Sequence, residues 1–173
     1  MNTIYLAGGC FWGVENYFQN LKGVTDTEVG YANSKVGSPT YEMVCTGKTF
    51  SSETVKVEFN ETVLPFEKLL HYFFELIDPT VLNRQGNDIG SQYRTGIYYL
   101  PENEKIKDTI LSFKNEIQKK YKDKIVTEIL PLENFYNAEE YHQDYLIKNP
   151  NGYCHCLSEI ETLKKSADAK KQI

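Results

Sequence analysis

The run Gly8-Gly9-Cys10-Phe11-Trp12-Gly13 is the residue group in this chain best suited to chemistry. It follows the apolar stretch Ile4-Tyr5-Leu6-Ala7, where a strand should end. Beyond it Val14, Tyr17, Phe18 and Leu21 recur at i, i+3, i+4 and i+7, the spacing of one helix face. Cys10 is therefore expected at a turn into a helix N-terminus. Unpaired backbone N–H groups and the positive end of the helix dipole favour a thiolate there. The glycines allow a sharp bend and leave the sulfur open. Phe11 and Trp12 supply two large apolar walls. Together these describe a nucleophile in an aromatic pocket; the alternative is a structural cysteine buried at a strand–helix junction.

The other cysteines are Cys45, Cys154 and Cys156, too few and too unevenly spread for a disulfide scaffold. Cys154-His155-Cys156 invites a zinc reading, but no second C-x₂-C or H-x₃-H pair accompanies it, and His71 and His142 stand apart. A catalytic thiol pair uses these positions better, and no metal is expected. Cys45, between Val44 and Thr46, reads as a small buried hydrophobe. The remaining polar candidates are Tyr41, Glu53, Asp88 and Tyr93. A carboxyl enclosed by aromatic rings has its pKa raised and can donate a proton. Read singly, each also fits a plainer role: a solvated strand-end charge for Glu53, an Asx turn for Asp88, rim packing for the tyrosines.

These residues must be positioned by the elements between them. Strands are expected at about residues 3–7, 24–31, 54–59, 95–100 and 125–130. Helices are expected at about 13–21, from Pro65 to Ile77, and from Pro101 along the stripe Ile106, Ile110, Phe113, Ile117. Asn137 with Glu140 reads as a capping box opening a helix to about Lys148. Residues 32–52 and 80–93 read as long polar loops, and loops of that length are usually functional. The first six elements run β-α-β-β-α-β, which predicts an α+β, ferredoxin-like (split βαβ) sandwich with a mixed sheet. A later helix-strand-helix extends it. Residues 1–156 are expected to form a single catalytic domain, and 157–173 a polar C-terminal tail with a weak helix.

Composition narrows the classes. Of 173 residues 40% are apolar, enough for a real core, and 13 tyrosines suit walls that bury a ring and present a hydroxyl. The net charge of −5 argues against a nucleic-acid partner. No apolar run is long enough for a membrane span. The candidate site begins at residue 8, which a cleaved signal peptide would remove, so a cytoplasmic or already mature protein is expected.

The motifs resemble those of the peptide methionine sulfoxide reductase A family. The likeness begins at Gly8-Gly9-Cys10-Phe11-Trp12-Gly13 with Glu15 and continues through Pro39-Thr40-Tyr41 and Val44-Cys45-Thr46-Gly47. It includes Asp78-Pro79, the run from Asn83 to Arg94, Ala138-Glu139-Glu140-Tyr141-His142-Gln143-Asp144-Tyr145-Leu146 and Asn151-Gly152-Tyr153-Cys154. These stand in the family's order over about residues 4–156. The resemblance implies reduction of the S-epimer of methionine sulfoxide, free or in proteins, without a cofactor. It makes Cys10 the nucleophile, left as a sulfenic acid, and Glu53 the proton donor to the sulfoxide oxygen. Tyr41 and Tyr93 become its hydrogen-bonding partners, Phe11 and Trp12 hold the substrate methyl, and Asp88 organises the polar side. Cys154 is the implied resolving thiol, with thioredoxin as reductant. Cys156 is either a relay of the disulfide to the surface or a spare thiol. A monomer is expected. Two departures stand out: Phe50-Ser51-Ser52 replaces a usual Gly-His-Ala before the acid, and Asn33-Ser34 a common glycine pair. Two other classes use the same residues. A cysteine hydrolase would pair Cys10 with His142. A thiol sensor would switch through Cys10 and Cys154 without turning over a sulfoxide.

Overall fold

The computed structural model describes residues 2–171. A mixed sheet carries helices on one face. β1 (Asn2–Gly8) alternates strictly, so Ile4 and Leu6 enter the main core under the helices while Tyr5 and Ala7 face a smaller cluster on the other side. α1 (Phe11–Gln19) comes directly after it and buries Phe11, Val14, Tyr17 and Phe18. It starts at Phe11 rather than near residue 13 because Cys10 itself is the N-cap, with φ −56° and ψ 122°. β2 (Val24–Ala32) comes next, then a short α2 (Tyr41–Cys45) inside the expected loop, capped by the Thr40 side chain accepting from the Met43 N–H at 3.2 Å. β3 (Ser52–Phe59) and α3 (Phe66–Leu76) match their apolar patterns, α3 burying Phe66, Leu69, Leu70 and Phe73.

The second expected loop holds a small ribbon, β4 (Arg84–Gln85) against β5 (Asp88–Ile89), and a 3₁₀ turn at Ser91–Tyr93. β6 (Thr95–Tyr99), α4 (Ile106–Gln118) and β7 (Glu128–Pro131) complete the middle of the chain. The capping-box helix at Asn137 does not form. Asn137 closes β8 (Phe135–Asn137), which pairs antiparallel with Gly30–Ala32 of β2. Pairing with the open edge of β2 uses the backbone that a helix cap would need. Asp144 then adopts a left-handed φ of 53°, so only the short α5 (Tyr145–Lys148) continues. The helix expected in the tail is α6 (Leu157–Lys164), whose Ile160 and Leu163 are buried in the main core. Residues 172–173 of that stretch lie outside the described residues.

The sheet order is β7-β6-β1-β3-β2-β8. Every neighbouring pair is antiparallel except β6 with β7, which makes the sheet mixed. Leu6 stands opposite Val55, so the start of β3 lies beside the Gly8-Gly9 turn. That register brings Glu53 to Cys10. Among the described residues no helix is long and apolar enough to cross a membrane.

Candidate active site

Cys10 sits where β1 turns into α1. The turn needs Gly9: its φ is +97°, and a Cβ there would lie 2.8 Å from both Gln85 Cβ and His155 Nε2. The sulfur-bearing residue is only 7% exposed. A helix N-terminus favours a thiolate, but burial raises the Cys10 thiol well above its ordinary value. The charge of Glu53 pushes the same way, while the amides of Trp12 and Gly13 pull against it without prevailing. Loss of hydration outweighs the amides, so the resting Cys10 is a thiol.

Glu53 is 1% exposed on β3, opposite Tyr31. Its Oε1 accepts the Phe11 N–H at 3.3 Å, and its Oε2 has no partner among the described residues. Burial pushes its pKa up to about 8, against the Phe11 amide, with the charge of Asp88 adding to the rise. At neutral pH this carboxyl is protonated and holds a transferable proton beside a thiol. Tyr41 and Tyr93 are half-buried, and both phenols are raised by burial. The charge of Glu53 adds to both rises, with Cys10 adding at Tyr93 and Cys45 at Tyr41. Asp88, on the ribbon, accepts from the Tyr153 hydroxyl at 3.1 Å. Its charge reaches Cys10, Glu53 and Tyr93.

The two aromatics after Cys10 divide their work. Phe11 is fully buried, and its amide fixes the acid. Trp12 is partly exposed, stacked on Tyr145 at 3.7 Å between centroids and 10° between planes. Its Nε1 donates to His142 Nδ1 at 2.9 Å. His142 is fully buried against Phe11 and Tyr41, and burial lowers its pKa, so it is neutral. Glu139 accepts from the Tyr41 N–H at 3.0 Å and the Tyr31 hydroxyl at 2.9 Å, steadying the start of α2. Sequence reasoning misses His142 as the anchor of Trp12, and misses Tyr145 and Glu139 altogether. Only the family-like run from Ala138 to Leu146 carries a signal for them.

The C-terminal thiols come back over α1. A Cβ on Gly13 would lie 2.7 Å from Cys156 Sγ and 3.1 Å from Cys154 Sγ. His155, between them in the chain, has its Nε2 3.0 Å from the Gly8 carbonyl. The two sulfurs are 3.7 Å apart. Cys154 is half-buried and opens onto a groove of about 360 Å³ shared with Leu146, Leu157 and Lys164. Its pKa is lowered to about 7, first by the hydrogen bond from the Cys156 thiol, whose own pKa rises in return. Cys156 lies at 1% exposure, deeper than Cys154, so it does not stand on the solvent side of the pair. Cys45 is exposed on α2, not the buried hydrophobe expected, because α2 turns that face outward.

Residues 2–172 match the sequence profile of the family described as peptide methionine sulfoxide reductase. The chain belongs to the peptide methionine sulfoxide reductase family. It is 56% identical over 155 residues to the peptide methionine sulfoxide reductase MsrA of Clostridium perfringens, covering 90% of this chain and 98% of that one. Among solved structures, reduced Mxr1 from Saccharomyces cerevisiae matches with a TM-score of 0.80 at 41% identity, covering 90% of this chain and 88% of the other. Mxr1 in complex with Trx2 matches with a TM-score of 0.58 at 29% identity, covering 83% and 84%.

Proposed function

We propose that this reductase acts on the S-epimer of methionine sulfoxide, with Cys10 as nucleophile, Glu53 as acid and Cys154 as resolving thiol. The observation that carries this is the Glu53 carboxyl, buried near Cys10, with one oxygen on the Phe11 amide and the other without a partner among the described residues. A sulfoxide oxygen is a strong acceptor and a poor leaving group until protonated. Glu53, with Tyr41 and Tyr93, supplies that proton while the Cys10 sulfur attacks the substrate sulfur. The Cys10 proton replaces the one Glu53 gives up. Oxygen moves to Cys10 as a sulfenic acid and methionine leaves. Trp12, held by His142 and Tyr145, offers the apolar wall for the substrate methyl, and Phe11 closes the floor. Asp88 keeps the polar side ordered through Tyr153.

The Cys154 thiolate then attacks the sulfenic sulfur, the hydroxyl takes a proton from the reprotonated Glu53 and leaves as water, and the Cys10–Cys154 disulfide is reduced by thioredoxin's dithiol. The groove at Cys154 supports access for that reductant. Relay through Cys156 requires the disulfide to pass inward, so Cys154 is the better point of contact with thioredoxin. The hydrolase alternative pairs Cys10 with His142, whose Nδ1 instead accepts from the Trp12 indole. The order β6-β1-β3-β2 supports a ferredoxin-like reading of the sheet's centre. A cytoplasmic monomer completes the proposal.

The test is turnover of the two epimers of N-acetyl methionine sulfoxide with dithiothreitol. The S-epimer is turned over and the R-epimer is not. Equal rates, or R alone, would overturn the assignment.

A further inference from the structure

Glu15 is a buried carboxyl that the proposed reaction does not use. It lies one helical turn beyond Cys10 on α1, is 1% exposed, and makes two hydrogen bonds. Its Oε1 accepts the Asp144 backbone N–H at 2.8 Å, and its Oε2 accepts the Thr27 hydroxyl at 2.9 Å. Gln19, at i+4 on the same helix, adds a second arm: its Nε2 donates to Asp144 Oδ1 at 2.7 Å and to Thr27 Oγ1 at 3.3 Å. Two residues of the nucleophile helix thus clasp one strained turn, since Asp144 has a φ of 53°.

The residues just beyond that turn give the clasp its purpose. Tyr145, the next residue, is the ring stacked on Trp12. Its ring also packs against Gly152, where a Cβ would lie 2.9 Å from Tyr145 Cε1, and Gly152 leads to Cys154. The segment from 144 to 154 therefore carries both the support of the substrate wall and the resolving thiol. Its first residue is tied to the helix that carries Cys10. A carboxyl removed from water is costly unless its oxygens are bonded. A plain apolar residue would fill this site at less cost but could not hold the Asp144 amide.

We infer that Glu15 is a positioning residue: through the Asp144 turn it registers Tyr145 and Cys154 against α1, and so sets the rate of disulfide formation after methionine is released. This rests on the proposed roles of Cys10 and Cys154. A displacement of about 1 Å can cost on the order of 10²-fold in a step that depends on orientation.

The experiment is a single turnover with S-sulfoxide and no reductant, following methionine release and loss of free thiols separately, together with the emission of Trp12, the chain's single tryptophan. Glu15→Ala should release one equivalent of methionine but form the disulfide more slowly by about 10- to 10²-fold. Its Trp12 emission should shift as Tyr145 leaves the indole. Glu15→Gln can accept from Asp144 and donate to Thr27, so it should restore both readouts. A parent-like disulfide rate or unshifted emission in Glu15→Ala would overturn the inference, as would a Glu15→Gln as slow as Glu15→Ala. If Glu15→Ala does not fold, Glu15→Leu decides, since it fills the site but cannot accept from the Asp144 amide: a parent-like disulfide rate and emission there would overturn the inference. Absence of methionine release from the parent enzyme would strike the reductase assignment instead, while the emission comparison would still judge the clasp.

Discussion

Burial decides the protonation of both reacting groups. The carboxyl of Glu53 and the thiol of Cys10 are each raised by loss of hydration, and an ionised Glu53 would raise the thiol further. The pair therefore rests neutral, with one proton ready for the sulfoxide oxygen and another behind it. Glu53→Gln keeps an oxygen for the Phe11 amide but has no acid proton. Its reduction rate should fall by about 10²- to 10⁴-fold, the usual weight of a general acid. A single-turnover rate within about a factor of two of the parent would mean that another group protonates the oxygen. The same shift sets the pH profile: reduction should decline as pH rises through about 8, where Glu53 loses its proton. Stability carries the matching sign. The ordinary value is 4.5 and the folded value about 8, so the raised carboxyl costs nothing below 4.5. Its cost grows as pH rises between the two values and is then constant. Tm measured across that window should fall less with pH in Glu53→Gln than in the parent, and identical slopes would count against a protonated resting Glu53.

At the scale of elements, α1 serves three neighbours at once. Its N-cap is Cys10, its first amide holds Glu53, and its Gly13 lets the C-terminal thiols pass within contact. Gly13→Ala is a clean probe of the last. Ala is the better helix residue by about 1 kcal/mol, so local propensity favours the change. Yet the added carbon would lie 2.7 Å from the buried Cys156 sulfur, and the thiol segment must shift. The first methionine should still be released, while thioredoxin-supported turnover drops. Unchanged coupled turnover would show that the close approach is not needed. The same element shows what is legible in the sequence. Ile4 to Ala7 is a short apolar run and Val14 to Leu21 carries a period near 3.6, so β1, α1 and the junction at Cys10 can be read locally. The Asn137 cap cannot be judged that way, because an unpaired edge of β2 competes for the same backbone. The thiolate expectation fails for a related reason: a helix N-terminus is visible in sequence, and the burial that overrides it is not. Trp12's hold on His142 joins residues far apart in the chain, and only the fold brings them together.

The whole molecule is arranged so that its two ends meet at one site. β1 delivers Cys10 from the N-terminal end, and the chain after α5 returns to lay Cys154, His155 and Cys156 across α1. α6 then anchors the returning segment by burying Ile160 and Leu163 in the core. This closure separates the reaction into a part that needs only the N-terminal junction with Glu53 and a part that needs the far end. Cys154→Ser should therefore release one equivalent of methionine at the parent rate and then stop with thioredoxin, because no disulfide forms for that dithiol to attack. Dithiothreitol, small enough to reach the sulfenic acid, should restore turnover in part. Cys156→Ser should be milder: a hydroxyl can still donate to the Cys154 sulfur, which lies 3.7 Å from the sulfur it replaces. Cys156→Ala removes that donor, so the Cys154 pKa should climb from about 7 toward its ordinary value and the pH profile of disulfide formation should move up with it. Peptide mapping after one turnover, beside thioredoxin-coupled rates for the three variants, checks the order. A first-formed Cys10–Cys156 bond, with Cys154→Ser fully active on thioredoxin, would reverse the roles of the two thiols.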